Sequence, residues 1–113
     1  MENYDPIPLW RPANIIDISE EHTIAAALVE ISQTGAVVSV TDNVALEPGS
    51  LLKLEFSLPL ENGLAEFLCH VEVMHSYPQE DQGFYINMTF LLMSKDTSEQ
   101  LNTFLDQKND PLH

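Results

Sequence analysis

Between Leu51 and Phe90 apolar side chains return at every second residue, and this period of two limits the chain more than any other feature. Leu52, Leu54, Phe56 and Leu58 alternate with Lys53, Glu55 and Ser57. Phe67, Cys69, Val71 and Val73 alternate with His70 and Glu72, and Phe84, Ile86, Met88 and Phe90 keep the same rhythm. Successive side chains of a strand point to opposite faces, so this pattern describes strands with one apolar and one wetter face. The interruptions agree. Pro59 to Gly63 is a turn, and Tyr77, Pro78 to Gly83 a second polar loop, because they collect the residues that bend a chain. Half-buried strands at this spacing predict an antiparallel barrel or sandwich.

Upstream, the stretch from Glu30 to Gly49 reads as strand, tight turn, strand, turn. Ala36 to Val40 is β-branched and strand-like. Ser32 can bond local backbone, and a glycine at Gly35 takes positive φ without strain, so both suit a corner. Asn14 to Ile18 suggests a short first strand. Residues 19–31 allow two readings. Ser19 before Glu20 and Glu21 is a helix-start signal, with Ile24, Leu28 and Ile31 at helical spacing; the same run also alternates as a strand would. The strand is preferred, partly for the resemblance described below.

The ends differ from the middle. Pro6, Pro8 and Pro12 surround Ile7, Leu9 and Trp10, which predicts an extended arm over residues 1–10 with Trp10 as its anchor on the core. From Ser94 onward the period changes. Asp96 or Thr97 can cap a helix, Glu99 or Gln100 can complete the capping box, and Leu101, Phe104 and Leu105 form an apolar stripe to be buried on the barrel. Asn109, Asp110 and Pro111 end it, leaving 108–113 as a tail.

A chain of 113 residues with 44% hydrophobic content builds one domain around one core. No apolar run approaches the roughly 20 residues of a membrane span, and the first residues lack the order of a secretory signal. The single Cys69 can form no internal disulfide, so a cytoplasmic setting is expected. Eighteen acidic residues face Arg11, Lys53, Lys95 and Lys108, for a net charge of −14. Phosphate-rich partners require clustered cations, so nucleic acid and anionic lipid are poor partners; a solvated surface or a basic protein partner fits.

Catalytic chemistry finds little to stand on. His70, Glu72 and His75 supply no firm third metal ligand, Cys69 sits on the apolar phase of its strand, and Ser32 has no base near it in sequence. No catalytic and no metal-binding residues are therefore assigned.

The order of elements carries a resemblance. EISQTG at 30–35, LEPGSLLKLEFSLP at 46–59, FLCHVEV at 67–73, GFYINMTF at 83–90 and a short terminal helix together resemble a PilZ domain, over residues 11 to 105. The resemblance implies an all-β fold with a C-terminal helix: a six-stranded antiparallel β-barrel, here bounded at 11–107. It also implies a cyclic di-GMP site on the outer face, marked by two arginines four apart and by a turn of pattern Asp or Asn, x, Ser, x, x, Gly. Ser32 and Gly35 match that turn, with Glu30 in place of Asp or Asn. Arg11 stands in the arginine region with Ile15 four residues on, and it is the sole arginine. Arg11, Glu30, Ser32 and Gly35 are thus the binding residues that the resemblance implies, in an incomplete motif. A lysine does not reproduce the planar fork that arginine offers to phosphate. The expectation is a non-enzymatic adaptor of bacterial signalling, in motility, pilus or second-messenger pathways, that acts through protein–protein contacts with weak or no cyclic di-GMP binding and no resident cofactor. The alternative is a cyclic di-GMP receptor with an altered site. Leu51, Leu68 and Met74, on outward phases, raise the further expectation of a homo-oligomer.

Overall fold

Antiparallel neighbours follow from the alternation, and of the two architectures it allows, barrel and sandwich, the chain forms the closed one, which joins its first and fourth strands. The computed structural model describes residues 6–17, 19, 21–42 and 46–109. It contains β1 (Ile7–Asp17), β2 (His22–Ile31), β3 (Gly35–Val40), β4 (Leu51–Leu60), β5 (Gly63–Pro78), β6 (Phe84–Phe90) and α1 (Lys95–Asn109). The strands form a closed barrel in the order β1-β2-β3-β6-β5-β4, with β4 pairing back onto β1.

The inner face is the apolar phase of each strand. Leu52, Leu54, Phe56 and Leu58 are buried from β4, Phe67, Cys69, Val71 and Val73 from β5, and Ile86 and Met88 from β6. Phe56 lies opposite Phe67 in the register, and their rings stack with centroids 5.1 Å apart and planes within 3°. Phe84 and Phe90, expected inside, are half-buried and pack against the core from the strand ends. Helix α1 lies at one end of the barrel and buries Leu101, Phe104 and Leu105 in the same core. Ser94 caps it, earlier than expected: its Oγ accepts from the Thr97 amide at 3.2 Å and donates to Thr97 Oγ1 at 2.8 Å.

Residues 22–31 are strand, and the register explains their helical disguise. Ile24 and Leu28 face inward, and a β-bulge between Leu28 and Glu30 shifts the phase so that Ile31 faces inward too. The inward spacing of four then three imitates a helix stripe.

Several boundaries move. β1 starts at Ile7, ahead of the short strand expected from Asn14, and Ile7 pairs with Ile31 and Pro8 with Glu30 across β2. Residues 7–10 therefore join the barrel. Ile7 and Leu9 pack against the core, whereas Trp10, the expected anchor, is 70% exposed. A register shift between Pro8 and Arg11 accompanies this, at the one place where two prolines interrupt the ladder donors. β4 runs through Pro59 to Leu60, so the turn contracts to Glu61 and Asn62, and Tyr77 and Pro78 belong to β5. Residues 1–5, Ile18, Glu20 and 110–113, to which the arm, the first strand's end, the helix-start signal and the tail were partly assigned, lie outside the described residues.

Candidate functional site

Ser32, Gln33 and Thr34 form the turn between β2 and β3, at the end of the barrel that α1 occupies. Gln33 Nε2 donates to Asn102 Oδ1 of the helix at 3.5 Å, and Thr34 accepts from the Phe90 amide at 2.9 Å. The Ser32 amide donates to the Gly35 carbonyl at 2.9 Å, and its hydroxyl lies 3.2 Å from both the amide and the carbonyl oxygen of Gly35. The Ser32 side chain is thus engaged in holding its own turn. Gly35 is needed for a different reason from the one expected. Its φ is not positive; instead an added Cβ would run into the Met88 carbonyl oxygen of β6, so glycine permits the close approach of two strands. Gly49, at the far end of the stretch from Glu30, does take φ of 91°.

Beside this turn a shallow cleft of about 690 Å³ runs across the outer face of β2, β3, β6 and β5. Glu30, Ser32, Thr34 and Gly35 line one end, and Met74, Tyr77, Tyr85 and Asn87 line the strands. Tyr77 and Tyr85 are directly opposite each other in the β5–β6 ladder and about 38% and 39% exposed. Glu30, half-buried on the bulged part of β2, is the only charged residue of the lining among the described residues.

Arg11 does not line it. The recorded β1–β4 ladder ends at Ala13 opposite Phe56, and just beyond it the Arg11 side chain continues the seam. Its Nε donates to the Ser57 carbonyl at 3.1 Å and its Nη2 to Ser57 Oγ at 2.8 Å. Of the four residues implied by the resemblance, Glu30, Ser32 and Gly35 gather at the cleft, and Arg11 is held against β4. Sequence reasoning missed Tyr77, Tyr85 and Asn87. The outward phase of Tyr85 and Asn87 was legible and Tyr77 was read as loop, but their convergence with the turn depends on the β3–β6 and β5–β6 pairings.

Other sequence candidates are dispersed. His75 packs its ring against Tyr77 at 5.1 Å. Among the described residues no three His, Cys, Asp or Glu side chains converge on a metal site. Burial pushes the Cys69 thiol up to about 11, which keeps it protonated at neutral pH. Leu51 and Leu68 are 67% and 54% exposed, but they lie opposite Glu72 and Glu55, so charged neighbours interrupt the apolar patch expected there.

The PilZ domain family model matches residues 8–107. The chain belongs to the PilZ family. Solved PilZ structures share its fold at low identity. The PilZ domain of YcgR from Escherichia coli, solved with c-di-GMP, is 14% identical with a TM-score of 0.67, the match covering 96% of each chain. The Bacillus subtilis inhibitor of motility MotI/DgrA is 14% identical with a TM-score of 0.77, covering 97% of this chain and 52% of that one. This PilZ domain therefore spans about half the length of MotI. The PilZ domain of CeSA from a cellulose-synthesizing bacterium is 10% identical with a TM-score of 0.57, covering 93% of this chain and 99% of that one. A comparison with curated protein sequences finds no significant match. No helix among the described residues is long and apolar enough to cross a membrane.

Proposed function

We propose that this PilZ domain is a non-enzymatic interaction module of bacterial signalling that docks on a protein partner and binds cyclic di-GMP weakly or not at all. The observation that carries this reading is the position of the arginine. Arg11 is bound to Ser57 in the β1–β4 seam, and among the described residues the cleft beside the Ser32 turn has no lysine or arginine in its lining. A ligand with two phosphates would meet Glu30 there, on a protein whose net charge of −14 opposes its approach.

The relatives motivate the pathway class. MotI is named for inhibiting motility, and YcgR was solved with c-di-GMP, so a role in motility or second-messenger control is in keeping with both. The likeness to YcgR also favours the alternative reading, a cyclic di-GMP receptor that uses Arg11, Glu30, Ser32 and the proline arm in an altered pose. Calorimetric titration of the intact chain with cyclic di-GMP separates the two. The interaction-module reading expects a dissociation constant above about 10 μM, corresponding to less than roughly 7 kcal/mol of binding. Sub-micromolar affinity that Arg11→Ala abolishes would establish the receptor instead.

A further inference from the structure

We infer that the cleft on the β2–β3–β6–β5 face receives a cationic side chain, arginine or lysine, presented by an extended segment of a protein partner. This rests on the interaction-module reading and names its surface. Glu30 is the only charge among the described residues of the lining, and Tyr85 and Tyr77, the latter packed at 5.1 Å against the His75 ring, give the same lining aromatic surface that attracts cations through the ring quadrupole. Met74, 47% exposed, adds an adaptable apolar wall against which the aliphatic stem of such a side chain can lie.

The field beyond the cleft has the same sign. β5 and β6 run from the tyrosine pair into a loop carrying Glu80 and Asp81, and the Gln82 side chain of that loop donates to Thr41, next to Asp42. Asp17, Glu21 and Glu47 lie on the connections at this same end of the barrel, where Lys53 of β4, opposite Ile16, is a lone lysine among the described residues. A cation is drawn toward this end and an anion is repelled.

The occupant's form follows from the strand pairing. On this face β2, β3, β6 and β5 pair with one another in turn, so a partner lying across the cleft is recognised through side chains rather than by adding a strand between them. A second copy of this chain is a poor occupant. It brings four cations in all, one of them Arg11, against eighteen acids, and two such molecules repel.

A short capped peptide with one arginine among glycines and serines tests this, beside its citrulline counterpart, which keeps shape but loses charge. Each is titrated into the isotope-labelled full chain at about 150 mM salt, where long-range attraction is screened, and amide shifts are followed. The arginine peptide should move the amides of Glu30, Val37, Tyr85 and Asn87, and citrulline should weaken binding several-fold. Glu30→Gln and Tyr85→Leu should each weaken the arginine peptide about threefold, the factor expected for one exposed cation contact. Equal binding of citrulline, or shifts confined to the loops around Asp42, Glu80 and Asp81, would overturn the assignment. A stoichiometric protein partner indifferent to both substitutions would overturn the cleft and leave the interaction-module reading standing; tight cyclic di-GMP binding dependent on Arg11 would overturn that reading itself.

Discussion

The β2–β3 turn holds Ser32 and Gly35 of the family's turn motif and the β1–β4 seam holds Arg11, and both regions use these residues for the fold. At the turn, the Ser32 hydroxyl contacts the Gly35 amide and carbonyl, and Gly35 lets β3 approach Met88. At the seam, Arg11 replaces missing backbone pairing with two bonds to Ser57. They differ in where this leaves them. The turn borders an open cleft, whereas the Arg11 guanidinium lies away from it against β4. Residues that match the family's two motifs thus serve the fold at two separate places.

Substitutions can break this contrast, and the largest effect belongs to the turn. Gly35→Ala places a methyl group against a backbone oxygen that cannot rotate away, and should lower stability by about 3 kcal/mol in urea unfolding. A loss under about 1 kcal/mol would show that β3 and β6 can separate freely and that the turn is not rigid. At the seam, Arg11→Met should cost about 1.5 kcal/mol, the worth of charge-assisted bonds at a half-buried site, and Arg11→Lys should recover little because one ammonium cannot replace the fork. Unchanged stability in Arg11→Met would mean the arginine is free to serve a ligand. Ser32→Ala should cost about 1 kcal/mol through the lost turn contacts. The smallest effect sharpens the contrast most. Arg11 and Ser32 share no bonding partner, so the Arg11→Met, Ser32→Ala double variant should be additive to within about 0.5 kcal/mol. A larger coupling would mean the two regions still act as one site.

Much of the barrel was legible because alternation is a local property. A residue's phase on its strand depends on its neighbours in sequence, so the inward sets of β4 and β5 could be named one by one, as could the helix stripe at Leu101, Phe104 and Leu105. Where a local irregularity intervened, legibility failed. The bulge at Leu28 and Glu30 made a strand resemble a helix, and the shift between Pro8 and Arg11 accompanies a Trp10 that faces solvent while Ile7 and Leu9 do the anchoring. The site was half legible. Glu30, Ser32 and Gly35 are neighbours in sequence and stayed neighbours in space.

The sequence alone determined the strand faces, the acidic character and the presence of a single arginine, because these are properties of neighbouring residues or of composition. Tertiary structure alone decided that Arg11 reaches Ser57, that Gly35 is required by β6 rather than by φ, and that Tyr77 and Tyr85 share a cleft with Glu30. Each of those facts is a contact between residues far apart in the chain, and it exists only once the barrel has closed and its register is set.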